Sequence, residues 1–230
     1  MSKQYLSIAD LMSGLMMIFL FIAIAFMINV QRQNDAMTKI ALISEQARKN
    51  LHHDLSIEFK PDLKNWNAEI LKDNTIRFKS PNVLFQTGKS ELGVKFKAIL
   101  NIFFPRYIKI IQTYSNEIKA IQIEGHTSSD WLNSTNINIR YIKNVELSQQ
   151  RALSTLKYCY SLFANQTQQR NWLQQVLKAN GLSFSKRIFN ADGSENADKS
   201  RRVEFKIVTK AEEKLHQILK QSQKEFAEWQ

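Results

Sequence analysis

A single carboxylate, Asp10, stands immediately before a stretch without charged side chains that continues to Gln31. Asp10, Ser13 and Gly14 are spaced at i, i+3 and i+4, so a helix would carry the acid, the hydroxyl and the glycine on one stripe. An acid among membrane helices costs about 2.5–3.5 kcal/mol, and protonation offsets that cost. A carboxyl in this position can alternate between a protonated and a charged state. Ion translocation is one function that this pattern allows, with Asp10 and Ser13 as the candidate residues, and the residues alone leave the choice open.

A second interpretation of the same acid concerns only the start of a helix. Ser7 and Asp10 fit a capping box, with Ser7 as the N-cap and Asp10 three residues later. An acid in the first turn also complements the helix dipole by about 0.3–1 kcal/mol. The two interpretations are compatible, because an acid one turn inside the membrane interface can begin a helix and still receive an ion.

The residues after Asp10 are numerous and apolar enough to cross a bilayer. Residues 15–28 are wholly apolar, and roughly 20 such residues span the hydrocarbon. We predict a cytoplasmic tail over residues 1–6 and a transmembrane helix over 7–30. A cleaved signal peptide is the alternative, since Ala23–Ala25 offers a cleavage pattern, but apolar residues continue beyond it.

The net charge of +11, from 32 basic and 21 acidic residues, would suit nucleic acid, an anionic membrane surface or an anionic polymer. The basic residues are scattered along the chain, so charge alone selects none of these partners. Lys3 precedes the span whereas Arg32 and Lys39 follow it, and this count favours a cytoplasmic C-terminal domain.

The single cysteine, Cys159, excludes an intrachain disulfide and a cysteine-rich metal site.

The stretch after the span, residues 31–65, is rich in helix formers and predicts a helical neck that ends near Pro61. Apolar residues recur in it near a 3–4 spacing, which is typical of a weak two-stranded seam. These residues are Val30, Met37, Ile40, Ala47 and Leu51. A solvated linker helix is the alternative.

The remainder alternates between strand and helix patterns and predicts an α+β fold, an α/β sandwich with helices packed on one face of a small mixed sheet. The predicted strands are 75–79, 83–85, 118–125, 185–190 and 201–208. The predicted helices are 92–113 with an interruption at Pro105, 144–163, 168–180 with Gly181 as its stop signal, and an amphipathic C-terminal helix over 211–230.

Four segments of this region stand in a recognisable order: VLFQTGKSEL from Val83, IQIEGHTS from Ile121, NVELSQQRAL from Asn144 and SRRVEFKI from Ser200. Together they resemble the OmpA-like peptidoglycan-binding domain, over about residues 66–210. The resemblance implies a ligand, the diaminopimelate portion of the peptidoglycan stem peptide. In that family an arginine and an aspartate hold the carboxylate and the amine of this ligand.

The resemblance also implies the peptidoglycan-binding residues. The family's arginine maps onto Arg151, with Asn144 and Leu147 on the same helix face, where the arginine fork suits a planar carboxylate. Core packing for Leu147 and an N-cap role for Asn144 are the alternatives. In the GHT segment, Thr127 is followed by Ser128 where the family has its aspartate. Asp130 is the remaining candidate to supply that charge from a shifted loop.

Two further polar features of the family segments are ambiguous. His126 of the GHT segment invites a catalytic or metal-ligating role, but no second ligand or Ser-His-Asp spacing supports it. A hydrogen bond that braces the loop is the simpler expectation. Of Arg201 and Arg202, the family pattern assigns one to the scaffold beside the ligand. We expect no catalytic residue, no metal site, no cofactor and no enzymatic activity, since phosphate-binding and nucleophile motifs are missing from the sequence.

The front of the chain resembles the MotB family of stator subunits, which place an acid and a small or hydroxyl residue at the cytoplasmic end of one transmembrane helix. The short tail, the short neck and the serine pair after GHT are more similar to the ZorB family, MotB-like subunits of the Zorya anti-phage defence complex. The resemblance implies a homodimer surrounded by five copies of a multi-span MotA- or ZorA-like membrane subunit. It also implies binding to peptidoglycan rather than nucleic acid.

This resemblance sets the expected orientation: a single-pass protein of the inner membrane with a cytoplasmic N-terminus and a periplasmic C-terminal domain, against the Lys and Arg count. Three alternatives stay open from the sequence. They are a flagellar MotB-type stator subunit, a passive cell-wall tether without ion transport, and a cytoplasmic nucleic-acid-binding membrane protein.

Overall fold

The computed structural model describes the chain except for residues 1, 80, 132–133, 215, 218–219 and 221–230, and the side chains of 2–8 and 81–82. It contains two compact units. One comprises Met1–Glu45 and Ala211–Gln230, and the other comprises Gln46–Lys210. The described residues between 211 and 220 are helical, and the rest of the predicted C-terminal helix lies outside the described residues.

Helix α1 (Ser2–Trp66) begins near the start of the chain. The capping-box prediction is therefore wrong: Ser7 lies inside the helix, because the residues before it include no glycine or proline to prevent helix formation. Within the first unit, an 18-residue window of this helix has a mean hydropathy of 2.7, and none of that window is buried. By length and composition, this part of α1 can cross a membrane.

The second unit includes the C-terminal turns of α1. Leu51, Leu55 and Phe59 are buried in its core, so this part of the predicted neck belongs to the folded unit and Leu51 cannot serve a two-stranded seam. The helix also continues past Pro61 to Trp66 instead of ending. Packing of Phe59 and Trp66 against the core holds the turn that proline weakens.

A five-stranded mixed sheet forms the other layer of this unit. Its strands are β1 (Ala68–Ile70), β2 (Ile76–Phe78), β3 (Ile118–His126), β4 (Leu177–Gly181) and β5 (Arg202–Thr209). Their order in the sheet is β1-β2-β5-β3-β4. Neighbours are antiparallel except β3 and β4, which run parallel. The sheet confirms the predicted fold class, and β1 is a strand that the sequence did not indicate.

Within the described part of the Gln46–Lys210 unit, five helices follow α1: α2 (Pro81–Leu84), α3 (Val94–Thr113), α4 (Ile137–Ser161), α5 (Thr167–Val176) and α6 (Ala197–Ser200). An aromatic cluster joins α3 to the sheet, with Phe103 5.1 Å from both Phe78 and Phe205 between ring centroids. Helix α3 runs through Pro105 without the predicted interruption, because Phe103, Phe104 and other apolar residues on both sides of the proline are buried.

Three other predictions of local structure are wrong. Residues 83–85 form the end of α2 and an isolated bridge from Phe85 to Leu92. Residues 185–190 contribute only a bridge from Phe189 to Glu195. Gly181 ends β4 rather than a helix, and a Cβ there would lie 2.3 Å from the backbone nitrogen of Gln149. Close approach of α4, not a helix stop, therefore requires this glycine.

Candidate functional site

A pocket of about 580 Å³ opens where β3 ends, beside the first turns of α4. All six residues predicted to bind peptidoglycan line it: Thr127, Ser128, Asp130, Asn144, Leu147 and Arg151. The prediction brought together residues from the end of a strand, the following loop and a helix. The structure places them around one cavity.

Arg151 forms a cationic wall of the pocket. Its side chain donates to the carbonyl oxygens of Lys89 (Nε, 2.9 Å) and Gln86 (Nη2, 3.4 Å), and its guanidinium lies 4.9 Å from the centroid of the Phe85 ring. The residue is only 7% exposed. Burial, and then the nearby charge of Arg201, lower the pKa of Arg151 to about 10. The guanidinium is thus held in a desolvated position in which it can bind an anionic group.

Helix α4 presents Asn144 and Leu147 to the same cavity. Asn144 is buried and donates from Nδ2 to the carbonyl oxygen of Asp130 at 3.2 Å, which fixes the loop against the helix. The N-cap alternative for Asn144 is wrong, because α4 begins seven residues earlier and Asn136 caps it by accepting from the backbone of Asn138 and Ile139. Leu147 is half-buried and lines the pocket.

The loop after β3 supplies the polar side of the pocket. Thr127 and Ser128 are buried, and the Thr127 hydroxyl has no hydrogen-bond partner within the described structure. The side chain of Asp130 is 72% exposed, with its carboxylate 3.9 Å from Arg140. Buried hydroxyls thus form the inner part of this wall, and the carboxylate lies at the rim.

Neighbouring contacts hold this loop in place. The backbone nitrogen of Ser129 donates to Glu195 at 3.0 Å, and its hydroxyl also bonds that carboxylate. Arg140 donates from Nε to the carbonyl oxygen of Ser129 at 2.7 Å. These contacts tie the loop to α4 and to the segment before α6.

Sequence reasoning missed several residues of the pocket: Phe85, Thr87, Gly88, Trp131, Ser134 and Arg140. Arg201 also lines the pocket, whereas Arg202 is buried and pairs with Glu204. The alternation of side chains at the start of β5 separates the two arginines and settles which of them stands beside the cavity. That alternation was visible in the sequence, but the strand boundary was not.

A cluster of buried ionisable side chains lies on β3 and β5, next to the pocket residue Thr127. His126 Nε2 is 3.5 Å from Glu124 Oε2 and 3.4 Å from Glu204 Oε2. Neither ring nitrogen has a hydrogen-bond partner in the described part of the chain, so the expected loop-bracing bond is wrong. The imidazole instead lies between two carboxylates.

The charges around this cluster match a side-chain network better than a metal ion. The three side chains could each offer one ligand atom, all within 4.8 Å of one another. Glu204, however, accepts from Arg202 Nε at 2.6 Å and from Arg77 Nε at 2.7 Å. Lys186 lies 3.5 Å from Glu124 and Lys206 lies 3.9 Å from it. Four cations already neutralise two acids, which disfavours a further divalent cation.

The second group of predicted site residues lies on α1, within the first unit. Asp10, Ser13 and Gly14 lie along one stripe of this helix and are exposed. The Ser13 hydroxyl donates to the carbonyl oxygen of Ala9 at 2.8 Å. A Cβ on Gly14 would meet no atom within 4 Å. The stripe is thus open for another helix to approach.

No family model matches the chain. Over 221 residues it is 42% identical to Zorya protein ZorB from Escherichia coli, covering 96% of this chain and 94% of that protein. A crystal structure described as a MotB-like protein from Desulfovibrio vulgaris matches with a TM-score of 0.50 and 20% identity, over 75% of this chain and 98% of that one. The periplasmic domain of Helicobacter pylori MotB matches with a TM-score of 0.43 and 22% identity, over 67% and 97%.

Proposed function

The chain belongs to the ZorB family, and from this premise we propose that it is the peptidoglycan-anchored, stator-type subunit of an ion-driven membrane complex in anti-phage defence. Its N-terminus lies in the cytoplasm, and the Gln46–Lys210 unit lies in the periplasm of a single-pass inner-membrane protein. The observation that carries the proposal is a combination within one chain. The apolar stretch of α1 has one acid, Asp10, at its N-terminal end, and the Gln46–Lys210 unit has a pocket suited to an anion.

The pocket is the wall anchor in this proposal. Arg151 offers a planar pair of donors to a carboxylate of the stem peptide, and Asn144 holds the loop that forms the opposite wall. Leu147 contributes apolar contact with the aliphatic part of the ligand. The anchor keeps the subunit stationary in the cell wall while its partner moves.

The α1 helix carries the ion step. Asp10 takes up a cation from one side of the membrane and releases it to the other, with the Ser13 hydroxyl beside it on the same stripe. Each charge that crosses yields about 2.3 kcal/mol per 100 mV of membrane potential. One helix per chain cannot enclose an ion path, so the path requires a second copy of this chain and a ring of multi-span partner subunits. The open surface at Gly14 fits such a neighbour.

The test replaces the acid within the assembled membrane complex. Asp10→Asn removes the charge with little change in shape, and we expect it to abolish protection from phage and cation flux while the complex still assembles. Asp35→Asn is the matched control, because Asp35 lies on the same helix beyond the apolar stretch and contacts Gln31. Full activity of Asp10→Asn would favour a passive wall tether.

A reporter fused after residue 230 tests the orientation. Activity only in the periplasm is expected, whereas activity only in the cytoplasm would overturn the proposed topology and the anchoring role together.

A further inference from the structure

The pocket has an unequal charge balance. Three arginines line it, Arg140, Arg151 and Arg201, against one acid among the described lining residues, Asp130. Arg140 is engaged by the carbonyl oxygen of Ser129, and Arg201 pairs with the exposed carboxylate of Asp198. Arg151 has no carboxylate within ion-pair distance in the described part of the chain. The inner part of the cavity therefore presents unneutralised positive charge.

The polar groups beside Arg151 strengthen this preference for an anion. Thr127 lines the pocket, and its hydroxyl is buried without a hydrogen-bond partner among the described residues. A buried hydroxyl without a partner is costly, and a ligand carboxylate would satisfy it as an acceptor. Arg151 and Thr127 together provide donors of a carboxylate subsite.

No comparable subsite exists for an ammonium group in the described lining. Ser128 is buried and neutral. The one carboxylate, that of Asp130, is mostly solvated and already lies 3.9 Å from Arg140. Solvent and the neighbouring cation both weaken its attraction for an amine. An amine placed near Asp130 would also lie at the open rim of the cavity rather than inside it.

We infer that the pocket recognises the free carboxylate of the stem peptide's diamino acid and does not require its free amine, so that it accepts stems whose amine has been acylated in a cross-link. The inference rests on the proposed function, in which this pocket holds peptidoglycan. An acyl group on an amine at the rim extends into solvent, where it meets no buried wall. A carboxamide in place of the carboxylate leaves Arg151 without its anion.

Calorimetric titration of the full chain in detergent micelles, with three tripeptides, tests the inference. The first is L-Ala-γ-D-Glu-meso-diaminopimelate, the second is the same peptide acetylated on its free amine, and the third carries a carboxamide in place of the side-chain carboxylate. We expect the first two to bind within about threefold of each other and the third about tenfold or more weaker, the scale of one charge-assisted contact. Weakening of the acetylated peptide by about tenfold would overturn the inference.

Two variants separate the possible sources of amine recognition. Asp130→Asn should leave the affinity for the first peptide nearly unchanged, because this exposed side chain contributes little. A loss of about tenfold would show that Asp130 holds the amine. Ser128→Asp should raise the preference for the free amine over the acetylated form. If none of the three peptides binds the unmodified chain, the wall-anchoring function fails, and the inference fails with it.

Discussion

The rings of Phe59 and Phe103 lie 5.2 Å apart between centroids, one on α1 and the other on α3. Arg106 reinforces this contact: its Nε donates to Glu58 at 2.6 Å, and its guanidinium lies 5.1 Å from the centroid of Phe59. The end of α1 is thus part of the core of the Gln46–Lys210 unit. Residue 66 is therefore not a domain boundary, since this unit begins at Gln46 within α1.

Phe59→Ala tests this assignment. Phe59 is fully buried, so its truncation should lower the free energy of unfolding of this unit by about 3–5 kcal/mol. Ile57→Ala is the matched control, since Ile57 is 64% exposed on the same helix, and its effect should stay within about 0.5 kcal/mol. Chemical unfolding followed by near-ultraviolet circular dichroism measures both. Equal stability of the two variants would show that α1 does not contribute to the core.

Arg151→Met separates binding from folding. The substitution removes the guanidinium, and we expect binding of isolated peptidoglycan sacculi to fall about tenfold or more. Stability should change little or rise, because the lowered pKa of Arg151 reports that burial penalises its charge. The carbonyl oxygens that it leaves belong to Lys89 and Gln86, both exposed residues that water can reach.

The control for this experiment is Arg170→Met, which removes an arginine that contacts Tyr160 and lies outside the pocket. It should bind sacculi as the unmodified chain does. If both variants stay folded and lose binding equally, Arg151 is not a specific anchor and the wall attraction is general charge.

The sequence predicted the candidate site better than it predicted the ends and packing of the helices. Arg151 and the GHT loop were found because short motifs report local chemistry that the fold then brings together. The burial of Leu51 and Leu55 was not predicted, because a helical pattern does not reveal whether its apolar stripe packs against a second copy of the chain or against the chain's own sheet. The predicted helix end near Pro61 and the predicted interruption at Pro105 were wrong for a related reason, because tertiary packing outweighs the local cost of a proline in a helix. The bridge between Phe85 and Leu92 could not be predicted either, because it forms when the loop between them folds back, and residue preferences for helix or strand do not specify that.

Gly125→Ala should destabilise the site's scaffold. A Cβ on Gly125 would lie 2.3 Å from the carbonyl oxygen of Ser148, a backbone atom of α4 that cannot rotate away. Separating β3 from α4 would cost about 1–3 kcal/mol of folding free energy, in the range for overpacking. Thermal unfolding of the variant measures it, with Ala179→Ser on neighbouring β4 as a control for a small change in the same sheet. An unchanged midpoint for Gly125→Ala would contradict the close approach.

Low pH should destabilise the Gln46–Lys210 unit. Burial alone would raise the pKa of Glu204, but the neighbouring His126 and Arg202 side chains lower it well below its usual value of 4.5. A carboxyl whose pKa is lower in the folded than in the unfolded state stabilises the fold at any pH above the unfolded value. That contribution declines as the pH falls below about 4.5 toward the folded pKa. Stability of this unit should therefore decrease steadily on acidification through that range.

Glu204→Gln tests the source of this pH dependence. Removing one partner of a buried ion-pair network should cost about 3–5 kcal/mol at pH 7. The variant should also lose less stability than the unmodified chain between pH 5 and lower values, because one titrating carboxyl is gone. Glu146→Gln, an exposed acid paired with Lys143, should keep the slope of the unmodified chain. Identical slopes for Glu204→Gln and the unmodified chain would place the acid sensitivity elsewhere, with Glu124 and Glu69 next, since the pKa of each is also lowered.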